Sequence, residues 1–148
     1  MRCLAFDVGL RRTGVAVSDA SGTLARPYRV LHGRDVVEAA LAIVEELAEE
    51  GLDLVVVGLP RRLDGGDTHA TTVARAFGAA LETRAGVRVV YEDERLTSVE
   101  AEARLAELEP DWRARKKKLD AAAAAVILQD VLDRRVREAR PGVSDEEW

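Results

Sequence analysis

The run "LDLVVVGLP", Leu52 to Pro60, restricts the possible fold more than any other part of the chain. From Leu54 on, its apolar residues follow one another without a polar alternate, so a strand built from them has no face to offer water. Such a strand belongs in the interior of a sheet covered on both sides. Gly58 and Pro60 bound it.

The flanking segments have the periods this architecture requires. "RCLAFDV" and "TGVAVSD" are short apolar runs joined by a glycine-containing turn, and Ser21-Gly22 leads to a third run around Tyr28 to Leu31. Three antiparallel strands are expected there. Between Arg34 and Glu50, Val36, Val37, Ala40, Leu41, Val44 and Leu47 recur at helical spacing, and Gly51 is placed to end the helix. A second helix is expected over Thr72 to Ala85, with Val73, Ala76, Phe77, Ala80 and Leu81 on one face. "VRVVY" reads as a strand, and Thr97 with Glu100 has the spacing of a capping box opening a third helix that Pro110 closes. A last helix is expected from about Asp120, with Ala124, Ile127, Leu128, Val131, Leu132 and Val136 inward, and its alanine run allows close approach to the sheet. The order of three strands, helix, strand, helix, strand, helix, helix gives an α/β mixed sheet flanked by helices.

At 148 residues the chain suits one domain with one core. A single domain is expected over 1–138, followed by a frayed tail over 139–148. The apolar fraction of 47% and charged fraction of 33% suit a soluble protein, no apolar run is long enough to cross a bilayer, and no signal peptide is evident. A cytoplasmic location is expected. The single cysteine, Cys3, fits as a small strand hydrophobe, and the two histidines, His32 and His69, lack zinc-site spacing. Any metal would therefore be held by oxygen. The net charge of −5 hides basic clusters at Arg11-Arg12, Arg61-Arg62 and Arg113 to Lys118.

Acids are the residues that call for explanation. Asp7 lies on an apolar strand, alternating with Ala5 and Cys3, where an unpaired buried carboxylate would cost several kcal/mol. Glu92, Asp93 and Glu94 follow the strand "VRVVY", at the carboxyl edge where ligands bind in α/β sheets. Residue type alone does not choose among these three. Asp120 begins the last helix and suits an N-cap as well as a ligand. Each acid has an ordinary reading as a turn residue, a solvated loop or a cap. "DVGLRRTGVAV" also matches the Asp-x-Gly hairpin with which actin-like ATPases and sugar kinases cradle phosphate, although those proteins need two lobes and this chain has room for one.

Taken together, "LAFDVGLRRTGVAVSD", "VVVGLPRRLDGG", "YEDERLTSVEA" and "KKKLDAAAAAVILQ" resemble the YqgF/RuvX family, Holliday-junction-resolvase-like proteins also described as pre-16S rRNA nucleases. The resemblance spans nearly the whole chain. It implies an RNase H-like fold with a central mixed five-stranded sheet, and catalytic, metal-binding roles for Asp7, Glu94 and Asp120. Carboxylate oxygens suit Mg²⁺ or Mn²⁺, and two such ions about 3.5–4 Å apart activate water and stabilise the leaving oxygen in phosphodiester hydrolysis. Junction resolvases of this fold usually carry a further acid one turn along the last helix, where this chain has Ala123 and Ala124. Three acids imply one ion held well and a second held weakly, which puts junction resolution in doubt.

The implied activity is a divalent-metal-dependent nuclease acting on structured nucleic acid, with pre-16S ribosomal RNA as substrate. DNA junctions or single-stranded ends are alternatives, as is a non-catalytic RNA-binding ribosome-maturation factor. Arg11, Arg12, Arg61, Arg62, Arg113, Arg115, Lys116, Lys117 and Lys118 are the candidate nucleic-acid contacts, each cluster being next to a site segment. Trp112 has two readings, a base-stacking platform or a plug at the core edge. No membrane partner is expected, and both monomer and homodimer are open.

Overall fold

The computed structural model describes residues 1–96, 99–112, 114 and 121–139, with the side chains of 96, 99, 100 and 139 left aside. Its strands are β1 (Cys3–Val8), β2 (Arg12–Ser18), β3 (Ala25–His32), β4 (Leu54–Leu59) and β5 (Val89–Asp93). The helices are α1 (Val37–Ala48), α2 (His69–Ala85), α3 (Val99–Leu108) and α4 (Ala122–Ala139), and a short 3-10 turn, Glu94–Leu96, follows β5. The sheet order is β3-β2-β1-β4-β5, a five-stranded mixed sheet. β1, β2 and β3 form an antiparallel meander, whereas β4 joins β1 and β5 joins β4 in parallel through helical crossovers.

All six residues of β4 are buried, as the uninterrupted run requires. Val55, Val57 and Leu59 enter one layer, with Leu4, Phe6 and Val15 of the meander and the inner faces of α1 and α2. Phe6 meets Phe77 of α2 edge to face, ring centroids 5.1 Å apart, a geometry that adds to area burial. Leu54 and Val56 enter the opposite layer, beneath α3 and α4. The strand residues there are small: Cys3, Ala5, Ala16 and Ala25. Those side chains, together with Ala124 and Ala125, let α4 lie close to the sheet. Buried Gln129 ties the two together, accepting from Ala25 N and donating to Thr23 O, each at 2.9 Å.

Two elements differ from the sequence expectation. α2 begins at His69 because Thr68 and Thr71 cap each other: Thr71 N donates to Thr68 Oγ1, and Thr68 N donates to Thr71 Oγ1 at 2.9 Å. Threonine at the third helical position replaces the Glu or Gln that signals a capping box. The inward face of α2 is Thr71, Ala74, Phe77, Gly78 and Leu81, while Ala76 points to solvent. Gly78 belongs to that face, and the Tyr91 hydroxyl lies 2.6 Å from where a Cβ would stand, so any larger residue would displace the Tyr91 ring. β3 extends from Ala25 to His32, well beyond the apolar core of Tyr28 to Leu31.

Gly51, with φ of +92°, ends the chain's first helix as expected. Trp112 is 2% exposed and packed in the α3/α4 layer, so it plugs the core and offers no stacking surface. The Thr97 cap of α3 and the tail over 140–148 lie outside the described residues. Among those described, no helix is long and apolar enough to cross a membrane.

Candidate active site

The carboxyl ends of β1 and β5 bring two acids together. On β1, Cys3 and Ala5 face the α3/α4 layer, and strand alternation carries Asp7 to the same side. Its partner on β2 is Gly14. On the other flank the parallel register pairs Phe6 with Val57, so the next residue along β4 is Gly58. Asp7 thus stands between two strand positions that have no side chain.

Both glycines are spacers. A Cβ on Gly58 would lie 2.8 Å from Glu94 Oε1 and 3.0 Å from Ile127 Cδ1. The absence of that methyl group gives the Glu94 carboxyl its place beside Asp7. A Cβ on Gly14 would meet Ala121 Cα at 3.4 Å and Ala124 Cβ at 3.7 Å, so the start of α4 rests directly on Asp7's strand partner. Neither glycine has a positive φ, so close approach is their reason.

The acidic triplet divides by strand alternation. Glu92 points under α4, is 8% exposed, and pairs with Arg134 Nη2 at 2.5 Å. Asp93 is gripped by Arg95, whose Nε lies 3.1 Å from both carboxylate oxygens and whose Nη2 lies 2.6 Å from Oδ2, and Arg61 Nη1 approaches at 3.7 Å. Hydrogen bonding from Arg95 therefore holds the Asp93 carboxyl below its usual range. Among the described residues, Glu94 has no such cation. Its carboxyl hydrogen-bonds Asp7, and burial first, then that bond and the charges of Asp7 and Asp93, push its pKa up to about 9. Among the described residues, buried Glu94 Oε1 has no hydrogen-bond partner.

Asp7 and Glu94 therefore meet. Asp120, Arg113 and Arg115 to Lys118 lie outside the described residues, as does any third acid of the pair: no three His, Cys, Asp or Glu side chains converge among those described. Ala121, the residue after Asp120, packs beside Gly14. Ala124 is fully buried and Ala123 exposed, so neither adds an oxygen donor.

The basic candidates fall into two groups. Arg11 and Arg12 are exposed on the β1–β2 hairpin. Arg61 lies 3.4 Å from Asp67 besides its approach to Asp93, and Arg62 lies 3.4 Å from Asp64. Sequence reading missed these pairings, as it missed the spacing role of Gly14 and Gly58. A glycine ending an unbroken β-branched run was the available signal for Gly58.

The meander-plus-crossover sheet has a parallel among solved structures. The fold is that of Thermus thermophilus RuvC, solved in complex with a Holliday junction substrate, with a TM-score of 0.53 at 18% identity over 92% of this chain and 96% of that one. This is the RNase H-like architecture. The "Putative pre-16S rRNA nuclease" of Burkholderia lata is 45% identical over 130 residues, covering 88% of this chain and 87% of the relative. The protein of the same description from Maridesulfovibrio salexigens is 41% identical over 135 residues, covering 90% and 99%. The family model described as RuvX, Holliday junction resolvase, matches residues 1–134, and the chain belongs to that family.

Proposed function

We propose that this chain is a nuclease that hydrolyses phosphodiester bonds of structured nucleic acid, acting on pre-16S ribosomal RNA, with Asp7, Glu94 and Asp120 as its carboxylates. The observation that carries the reading is the Asp7–Glu94 pair. Two acids are hydrogen-bonded to each other at the carboxyl end of the sheet, and among the described residues no cation pairs with Glu94 and its buried Oε1 has no hydrogen-bond partner. A structural ion pair would have been built like Glu92–Arg134 or Asp93–Arg95. This pair instead suits a divalent cation, Mg²⁺ or Mn²⁺, which takes hard oxygen ligands.

Asp120 is proposed as the third ligand because it precedes Ala121, which stands against Asp7's partner Gly14. The bound cation would supply an activated water and charge stabilisation at the leaving oxygen. The chain's own part is positional. Asp7 and Glu94 hold the acceptor oxygens, Gly58 leaves the room in which Glu94 sits, and the Asp93–Arg95 fork fixes the backbone on either side of Glu94: Arg95 N donates to Asp93 Oδ1 at 2.9 Å. Glu94 must release its proton when a cation binds. Arg11 and Arg12 and the basic run before Asp120 are proposed phosphate contacts.

The relatives' description favours pre-16S rRNA over junction DNA, and the missing fourth acid at Ala123 and Ala124 agrees with that choice. The test is a cleavage panel in Mn²⁺ and in Mg²⁺ with pre-rRNA fragments, single strands and four-way junctions, using Asp7→Asn as the blank. Metal-dependent cutting of the pre-rRNA fragments is expected. Activity no greater than the blank on every substrate would refute the assignment.

A further inference from the structure

The strand register puts a second set of side chains on the face that carries Asp7. Asp7 pairs with Gly14 and Gly14 with Val30, while two residues nearer the hairpin Arg12 pairs with His32. Residues two apart on a strand share a face, about 7 Å from one row to the next. Arg12 and His32 therefore form the row beside Asp7's own. The turn carrying them is pinned: Gly9 N donates to Arg12 O and Gly33 N donates to Arg11 O, each at 2.9 Å. The second bond sets Arg11 against the turn from His32 to Arg34.

Arg11, Arg12, His32 and Arg34 are all exposed. Among the described residues, Arg11 and Arg34 have no ion pair. The nearest acid in sequence, Asp35, turns toward its own backbone and accepts from Val37 N at 3.4 Å. The basic loop on the other flank is different in kind. Arg61 is shared between Asp67 and Asp93, and Arg62 is beside Asp64. Drawing Arg61 to a phosphate would strip a cation from Asp93, the neighbour of Glu94. Among the described residues, Arg11 and Arg34 have no such pair to break on taking a phosphate.

We propose that the polynucleotide strand held at Asp7 and Glu94 runs across the ends of β2 and β3, its flanking phosphates on Arg11, Arg12, His32 and Arg34, while the Arg61–Arg62 loop stays off the strand. The ligand is the phosphodiester backbone, and these contacts set position without reading bases. The proposal rests on the nuclease reading and adds the strand's path to it.

The test is binding of a fluorescein-labelled RNA hairpin with a single-stranded tail, followed by anisotropy in EDTA across a salt series. Each phosphate contact contributes about 0.7 on a single strand and about 0.9 on a duplex to the slope of log affinity against log salt. Arg11→Ala and Arg34→Ala are each expected to lower that slope by about 1, and the double variant by about 2. Arg137→Ala, the same change of charge at the far end of α4, should keep the wild-type slope. Melting temperatures confirm folding, which these exposed positions should not disturb. Wild-type slopes in Arg11→Ala and Arg34→Ala, or a loss found in Arg62→Ala instead, overturn the path. Mn²⁺-dependent cleavage is scored separately on the same hairpin. Normal cutting with unchanged slopes removes the path alone, whereas the expected slopes with no cutting keep the path and remove the nuclease.

Discussion

Replacing Gly58 with alanine puts a methyl carbon 2.8 Å from Glu94 Oε1, 3.2 Å from Glu94 Cγ and 3.0 Å from Ile127 Cδ1. Ile127 is held in the α3/α4 layer, so Glu94 is the group that moves. Overpacking of this kind costs about 1–3 kcal/mol, and the loss of glycine's chain freedom within a strand returns about 0.5–1 kcal/mol. A net loss of about 1–2 kcal/mol corresponds to a melting temperature lower by about 3–6 °C in a domain of this size. The larger effect falls on catalysis, because a displacement of about 1 Å at a reacting centre can cost about 100-fold in rate. Initial cleavage rates in saturating Mn²⁺ and thermal melts should be measured on the same protein. Adding Glu94→Asp to Gly58→Ala shortens the acid by one methylene and should recover part of the melting temperature, tying the clash to Glu94. Wild-type cleavage by Gly58→Ala would refute the spacer argument, and a melt unaffected by the added Glu94→Asp would place the clash elsewhere.

The remaining predictions concern charge. In the metal-free protein Glu94 keeps its proton up to about pH 9, against an ordinary carboxyl value of 4.5. The folded chain then binds a proton that the unfolded chain has released, so stability falls as pH rises through that window, by at most about 1.4 kcal/mol per pH unit. Urea melts in EDTA at pH 5 and pH 8 should show this fall, and Glu94→Gln should flatten it; an equal slope in the variant would assign the effect to other groups. For the same reason Mn²⁺ should release close to one proton from this site on binding near neutrality, read by the buffer dependence of the calorimetric heat. Asp120→Asn, a nearly isosteric change two residues before α4 begins at Ala122, is expected to keep the melting temperature and to lose metal-dependent cleavage; retained cleavage would remove Asp120 from the ligand set. Arg134→Ala leaves the buried Glu92 carboxylate without its cation and should destabilise by about 1–3 kcal/mol, while Arg134→Ala with Glu92→Gln should recover much of the loss.

The layered fold was legible because it depends on local pattern. The unbroken β4 run demands cover on both faces, the glycine and serine turns mark the meander, and helical spacing marks α1 and α4; each signal lies within a few residues of the element it defines. Asp7 also stood out locally, as an acid in an apolar strand. α2 shows the limit of such reading. Its buried face includes Gly78, which periodicity ranks as neutral and which packs against the Tyr91 ring from β5.

The site depended on groups far apart in the chain. "EDE" offers three equivalent acids, and the choice of Glu94 comes from where cations are: Arg134 on α4 takes Glu92, Arg95 and Arg61 take Asp93, and Glu94 turns toward Asp7 through the space left by Gly58. Arg61 and Arg11 look alike in sequence, yet among the described residues one is committed to ion pairs and the other is not. By itself the sequence determined the order of elements, the double-sided core and the presence of an acid that needed company. The family resemblance named Glu94 among three acids that residue type leaves equivalent, and only the tertiary structure supplied the physical reason, because electrostatic partnership and close packing act through space between strands and helices that periodicity cannot align.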